Sequence, residues 1–336
     1  MKRPEHPVLD LGLRYSRRAL LGAALGTPFA LAGLAQSYPS RSPRVIVPFA
    51  AGGPTDVLTR IAAERVSPAL GQPLVVESRT GAGGNLAGEL AARNEADGYT
   101  LLVAGQAILA INKALYKKLS YDPATDFVFI GMLGVIANVL LVNPAAVPVN
   151  SLAELIALAK TKPGEIAYGS NGPGSFTHLT TAIFAQQASA QFLHVPYQGA
   201  APLMTDLLAG RIGMTFTAAS AALPLVQSGQ LRALAVTTGQ RSRFAPNVPT
   251  LVESGFPSLN APVWFGVVVR ANTPAPIVAR LRAEFNTVIA SEGYSQALEK
   301  QSMEVMRVPP ETSEQFLASE RALWGEAVKL TGVSLD

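Results

Sequence analysis

Val45-Ile46-Val47-Pro48-Phe49-Ala50-Ala51-Gly52-Gly53-Pro54-Thr55-Asp56 passes from a β-branched strand through a glycine pair into the start of a helix. Pro54 suits the first helical position, where its missing N–H would have had no partner. The glycines allow backbone to come close to a ligand, and the N–H groups of Thr55 and Asp56 are left over at the helix start. Asp56 has two readings, a cap that accepts first-turn N–H bonds or part of a ligand wall with Phe49, Ala51, Gly52, Gly53 and Thr55. Free N–H groups and the helix macrodipole together favour an anion, by roughly 0.3–1 kcal/mol when exposed and up to ~2 kcal/mol when partly buried.

The same order of strand, glycine-rich turn and helix start recurs outward from this stretch. Ser170-Asn171-Gly172-Pro173-Gly174-Ser175-Phe176-Thr177-His178 joins a strand to a helix, with Ser175 as a good N-cap and Thr177 offering a first-turn hydroxyl. Tyr197-Gln198-Gly199-Ala200-Ala201-Pro202 repeats the arrangement. Gly81-Ala82-Gly83-Gly84-Asn85-Leu86 invites a dinucleotide reading, but Leu86 stands where G-x-G-x-x-G needs its third glycine, and the loop follows the second strand. It reads as a tight helix start beside a cleft mouth.

Strands are expected at 45–49, 74–77, 100–104, 127–133, 139–142, 166–169, 192–195, 211–217, 231–237 and 264–269. Helices are expected at 56–70, from about 85 to 94, and at 151–160, 175–187 and 200–209, with a mostly helical stretch from Pro276. Residues 239–262 are rich in Pro, Ser, Asn and Gly and read as a crossing connection. Alternating short strands and helices predict an α/β architecture with largely parallel sheets, and in such sheets helix starts gather at the carboxyl ends of the strands, where ligands bind.

Composition narrows the function. The 336 residues are 49% hydrophobic and 15% charged, with no cysteine. That length suggests two domains, the low charge argues against disorder, and the missing cysteines exclude disulfide scaffolds, thiol nucleophiles and Cys-ligated metals. The net charge of +4 is concentrated near the start: residues 1–37 hold five of the 27 basic groups and two of the 23 acidic ones, leaving 22 against 21, or +1. No basic stripe remains to bind a nucleic-acid backbone.

Residues 14–37 carry Arg17-Arg18, then an Ala/Gly/Leu-rich run, then small residues around Gly33 and Ala35. This is the pattern of a cleaved export signal, of twin-arginine type; about 17 mildly apolar residues are short for a membrane span. A periplasmic location is expected, with the domain pattern 1–37 signal, 38–137 plus 257–336 first domain, and 138–256 second domain.

Catalytic patterns are weak. No G-x-S-x-G elbow occurs, Gly169-Ser170-Asn171-Gly172 being one residue short. His178 and His194 lie in no H-E-x-x-H pattern and have no carboxylate cluster beside them in the sequence. The rival to a binding role is an exported serine-dependent acyl hydrolase using Ser175 and His178; a structural envelope protein with a vestigial cleft is a third reading.

The motifs together resemble one family. Val45-Ile46-Val47-Pro48-Phe49 with Gly52-Gly53-Pro54-Thr55-Asp56 is similar to the opening of the Bug receptors, the periplasmic binding components of tripartite tricarboxylate transporters. Val76-Glu77-Ser78-Arg79, Asp97-Gly98-Tyr99-Thr100, Tyr116-Lys117-Lys118-Leu119, Tyr121-Asp122-Pro123, His194-Val195-Pro196-Tyr197-Gln198-Gly199, Leu231-Arg232-Ala233-Leu234-Ala235-Val236-Thr237 and Trp264-Phe265-Gly266 continue the likeness over residues 44–330. It implies a two-domain, type II Venus-flytrap fold with mixed, mostly parallel sheets and a ligand cleft between the domains. It also implies a carboxylate held by the loop from Phe49 to Asp56, largely through main-chain groups, with an opposite wall at Ser170, Asn171, Ser175, Thr177, Tyr197 and Gln198. Many members carry Asp-Asn after Met-Phe, where this chain has Thr217 and Ala218. Loop 105–109, whose polar residue is Gln106, lacks the hydroxyl and His residues common there. Gln106 and Thr217 complete the candidate set. The expectation is a monomeric receptor for a small, amine-free organic carboxylate, with no cofactor, serving an inner-membrane tripartite permease or a sensor protein.

Overall fold

The computed structural model describes Met1 and residues 38–336; the expected export signal, with Arg17 and Arg18, lies outside these. The first strand, β1 (Arg44–Val47), pairs in parallel with β2 (Val75–Ser78) and β3 (Thr100–Gly105). β10 (Val263–Arg270) inserts antiparallel between β3 and β4 (Phe127–Ile136), giving the order β2-β1-β3-β10-β4. The second sheet repeats this plan: β6 (Ala167–Ser170) runs parallel with β7 (Leu193–Pro196) and β8 (Met214–Ala218), while β5 (Asn138–Val142) lies antiparallel between β8 and β9 (Arg232–Val236). Its order is β7-β6-β8-β5-β9. Both sheets are therefore mixed. The antiparallel share comes from β5 and β10, the strands that follow the two passages between sheets.

Those passages lie side by side. The chain goes from β4 to β5 through the single buried residue Ala137, and from β9 to β10 through residues 237–262. Thr237 N–H donates to the Asn138 carbonyl (2.9 Å), and Ala261 N–H to the Thr237 carbonyl (2.8 Å). The expected crossing connection at 239–262 is this second passage.

Helices cover both faces of each sheet, so the strands are nearly continuous apolar runs; Val139, Leu140, Leu141 and Val142 are all 0% exposed. In the first lobe α1 (Pro54–Leu70), α8 (Ala275–Ile289) and α9 (Glu292–Glu299) cover one face, and α2 (Asn85–Arg93) the other. In the second, α4 (Leu152–Thr161) and α5 (Phe176–Ala188) cover one face, α6 (Ala200–Leu208) and α7 (Ala219–Gln227) the other. Helix starts follow their sequence signals: Ser151 caps α4 and Ser175 caps α5, and Pro54 opens α1.

Two elements were not anticipated. Residues 219–227 form α7, and Ala107–Ile111 make a π-helical turn that continues directly into α3 (Asn112–Leu115). The last helix, α10 (Ser313–Thr331), bridges the lobes: Trp324, Ala327 and Val328 share one apolar cluster with Ala110, Ile111 and Leu115 of the first lobe and Leu179 and Ile183 of the second. No helix among the described residues is long and apolar enough to cross a membrane.

Candidate functional site

A cavity of about 400 Å³ lies between the two sheets, with walls from both. Phe49, Gly105, Gln106, Val263 and Phe265 line it from the first sheet's side. Asn171, Pro173, Gly174, Ser175 and Phe176 line it from the second, and one face of the helical stretch 107–116 runs along it. A larger groove, about 520 Å³, is lined by Arg41, Arg44, Glu77, Asp97 and Tyr99. It lies at the amino ends of β1 and β3, with Arg41 paired to Asp97 at 3.0 Å and Arg44 bonded to Asn94 and Thr100. Ligands of open α/β sheets bind beyond the carboxyl ends of the strands, so the cavity between the sheets is the candidate site.

The loop after β1 is organised around Asp56. Its Oδ2 accepts from Gly52 N–H (2.9 Å) and from Arg60 Nε (2.8 Å), and these bonds hold its carboxyl below the usual carboxylate range, Arg60 contributing most. Asp56 therefore caps backwards, onto the turn before the helix, rather than onto first-turn N–H groups. Gly52, at φ +78°, adopts the left-handed turn that glycine favours. The Gly53 N–H is taken by the Ala50 carbonyl (3.2 Å). The N–H groups of Gly52 and Gly53 thus serve the loop itself. The first helical bond of α1 runs from Val57 N–H to the Gly53 carbonyl (3.0 Å), so those of Thr55 and Asp56 stand ahead of the ladder. Thr55 is buried and its carbonyl accepts from the Thr59 hydroxyl; Ala51 is exposed, and Phe49 packs edge-to-face on Phe265 at 6.3 Å.

The opposite wall is a network. Ser175 Oγ donates to the Gly172 carbonyl (2.6 Å), and Thr177 Oγ1 accepts from Asn171 N–H (2.9 Å). Gly174 N–H donates to His178 Nδ1 (3.1 Å). Ser170, fully buried, lies 2.6 Å from His194 Nε2, and the His178 and His194 rings stack at 3.9 Å with Tyr168 on the far side of His194. Gly174 sits against Leu115 of the first lobe, where a Cβ would come within 2.6 Å, so only glycine permits that contact.

Of the residues singled out in the sequence, the structure brings Phe49, Gln106, Asn171 and Ser175 onto the cavity surface. Gln106 is a brace: its amide nitrogen donates to the Pro262 carbonyl and its oxygen accepts from Trp264 N–H (3.1 Å), tying the first lobe to the end of the second passage. Ser170 and Thr177 support the wall from behind. Tyr197 turns away, its hydroxyl donating to Asp206 (2.9 Å), and Gln198 is exposed beyond it. Thr217 sits in β8 opposite Val139, off the cavity lining.

Sequence reasoning missed the long wall. Ile108, Ile111, Asn112 and Leu115 recur at helical spacing, with the polar Asn112 on an otherwise apolar face, and that periodicity was the available signal. The π turn that presents them is a feature frequent at functional sites. Phe176, Val263, Phe265 and Leu335 also line the cavity; Phe176 and Phe265 lie in stretches already quoted, but the four come together only through the fold.

No side chain in the lining carries a charge, and no group of three or more potential metal ligands occurs among the described residues. Ser175 Oγ and the His178 ring are not bonded to each other; each is engaged with backbone of the loop. The arrangement offers neutral donors and apolar surface.

Comparison with known proteins follows the same line. Residues 58–333 match the family described as "Tripartite tricarboxylate transporter family receptor". The chain is 36% identical to protein BugT of Bordetella pertussis over 319 residues, covering 93% of this chain and 98% of that one. The structure of R. palustris Rpa4515 with adipate superposes with a TM-score of 0.75 at 35% identity, over 88% of this chain and 99% of the other. MatC from Rhodopseudomonas palustris with bound malate gives 0.71 at 28% identity, over 87% and 100%. With most of its length matched, its two mixed sheets and the cavity between them, the chain belongs to the Bug receptors, the tripartite tricarboxylate transporter receptor family.

Proposed function

We propose that this protein is a periplasmic solute-binding receptor that captures a small organic carboxylate between its lobes, 38–137 with 257–336 and 138–256, and delivers it to an inner-membrane tripartite permease or a sensor protein. The carrying observation is the 400 Å³ cavity walled by both sheets and free of charged side chains. Its relatives Rpa4515 and MatC are known with adipate and malate. The carboxylate is held by neutral donors: in the lining, the start of the helical stretch at Ala107 and the Asn171 amide, whose side chain has no partner among the described residues, and, next to Phe49 but outside the lining, the helix-start N–H groups of Thr55 and Asp56. Each such contact is weak, and micromolar affinity requires about −8 kcal/mol, so apolar packing and lobe closure supply the remainder. Binding needs no cofactor and no bond-breaking step. The chain acts as a monomer, and residues 1–37 direct its export and are removed.

Calorimetry of the purified protein with a panel of organic acids, guided by native mass spectrometry of any acid retained from purification, tests this. Micromolar binding of at least one carboxylate is expected. Absence of binding across the panel, or ester turnover that disappears in Ser175→Ala, would overturn the receptor reading in favour of an inert envelope protein or a hydrolase.

A further inference from the structure

The segment after α10 forms one end of the ligand cavity. Gly332, in the left-handed conformation at φ +63°, turns the chain back from the helix. Leu335 N–H then donates to the Leu115 carbonyl (2.8 Å), and Lys117 N–H to the Leu335 carbonyl (2.9 Å), a strand-like pairing opposite Tyr116. Lys117 Nζ fastens Asp336 at 2.8 Å. Burial alternates along the segment, Val333 and Leu335 turned inward and Gly332, Ser334 and Asp336 exposed, as extended backbone requires. Bonds from both its N–H and its carbonyl to the stretch 115–117 therefore fix the Leu335 side chain in the cavity wall.

The helical stretch from Gln106 to Leu115 runs along the cavity, Gln106, Ala107, Ile108, Ile111, Asn112 and Leu115 all facing it. At one end stand Phe49, Gly105 and Gln106, beside the loop that carries the free helix-start N–H groups; at the other stand Leu115, Phe176 and Leu335, all packed into the shared apolar cluster. No cation lies in the lining to meet a charge at that second end. Besides Ser175, whose hydroxyl already donates to the Gly172 carbonyl (2.6 Å), the hydroxyl nearby is that of Tyr116, which has no partner among the described residues and lies towards Gly83, 3.1 Å from where a Cβ there would sit. It can bond a neutral oxygen but cannot neutralise a carboxylate, and an unpaired charge buried against leucine and phenylalanine is strongly disfavoured.

We propose that Leu335 is a specificity-determining residue, and that the ligand is a monocarboxylate whose far end is neutral and largely apolar, an aromatic ring or branched alkyl group rather than a second carboxylate. The inference rests on the receptor reading above. Titration calorimetry with 3-phenylpropanoate and adipate tests it on the wild type, Leu335→Ala and Leu335→Lys. The backbone pairing does not depend on the side chain, and unchanged thermal midpoints of the free proteins check that both variants fold. The wild type is expected to bind 3-phenylpropanoate at least tenfold more tightly than adipate. Leu335→Ala should weaken the aromatic acid about tenfold through lost apolar burial, and Leu335→Lys should reverse the order of the two acids by placing a cation at the far end. Equal or tighter binding of adipate by the wild type, or undiminished affinity for 3-phenylpropanoate in Leu335→Ala, overturns this inference and leaves the receptor reading standing. Failure of the wild type to bind any carboxylate overturns the receptor reading instead.

Discussion

Asp56 spends one oxygen on two partners, Gly52 N–H and Arg60 Nε, and so fixes the turn that leads into α1. Its carboxyl is depressed below the ordinary value, so the stability it contributes is present above the unfolded pKa near 4 and lost as pH falls through the folded one. Asp56→Ala is expected to reduce stability by about 1.5–3 kcal/mol, the range for a hydrogen bond to a charged group, and to weaken ligand binding because the Phe49–Gly53 loop loses its anchor. Urea denaturation together with calorimetry reads both effects; a variant as stable as the wild type would show that the loop holds its shape without Asp56. His178 acts in the same direction of pH, but because the fold favours its neutral form. Burial first, and the neighbouring His194 second, push the His178 imidazole down to about 4, so it is neutral where an unfolded His would begin to charge. Between about pH 6.5 and 4 the unfolded chain binds the extra proton, and stability falls as pH falls. Replacing His178 by Gln should flatten the dependence of the urea midpoint on pH over that window. An unchanged slope would mean that His178 titrates normally in the fold.

At the scale of elements, α10 is the member that joins both lobes, and Glu320 is its polar fixture. Its carboxylate accepts from the indole N–H groups of Trp264 (2.6 Å), at the start of β10, and of Trp324 (3.0 Å), in the shared cluster. Burial pushes this carboxyl above the ordinary value, the two indole donors opposing the shift. Glu320→Ala leaves two buried indole donors unpaired, each worth ~1–3 kcal/mol, whereas Glu320→Gln keeps an acceptor and sheds the buried charge. Guanidinium melts followed by tryptophan emission should rank the proteins wild type, Gln, Ala, with the Gln variant much nearer the wild type. Equal losses for the two variants would mean that the charge itself, not the hydrogen bonds, holds α10 in place. Most elements were legible beforehand because their signals are local: β-branched runs for strands, Ser or Pro at helix starts, glycine at turns. The helical stretch 107–115 was not, since no capping Ser, Thr, Asp or Pro opens it: Gly105 and Gln106 lead directly into the turn, and the Gln106 side chain makes no cap. The strand order was not written locally either. β10 reaches the middle of the first sheet across residues 237–262, and no neighbouring residue signals that pairing.

Over the whole molecule the site is a property of assembly. The sequence marked loops by their chemistry, and four of its candidates, Phe49, Gln106, Asn171 and Ser175, line the cavity. Tyr197 and Thr217 carry equally suitable groups but face elsewhere, because a hydroxyl on a strand end or loop points wherever its own packing directs it. Conversely Leu335, more than 200 residues from Leu115 in sequence, becomes a wall only when the last segment folds back. This assembled lining determines what kind of ligand head the receptor accepts. An amino acid brings an ammonium as well as a carboxylate, and an ammonium taken out of water needs a partner of opposite charge. None of the lining residues supplies one. The acid nearest in sequence to the carboxylate-holding loop, Asp56, binds Arg60 at 2.8 Å and the Gly52 N–H through Oδ2, its Oδ1 is buried without a partner, and it stands outside the cavity lining. The neutral amides and hydroxyls that remain can replace water around a carboxylate, a carbonyl or an alcohol. The receptor should therefore reject α-amino acids and bind their amine-free counterparts, for example 3-phenylpropanoate over phenylalanine, by at least a hundredfold, the factor that corresponds to about 2.7 kcal/mol. Paired calorimetric titrations decide it, and micromolar binding of the amino acid with none of its amine-free counterpart would require an acidic group in the cleft that this lining does not contain.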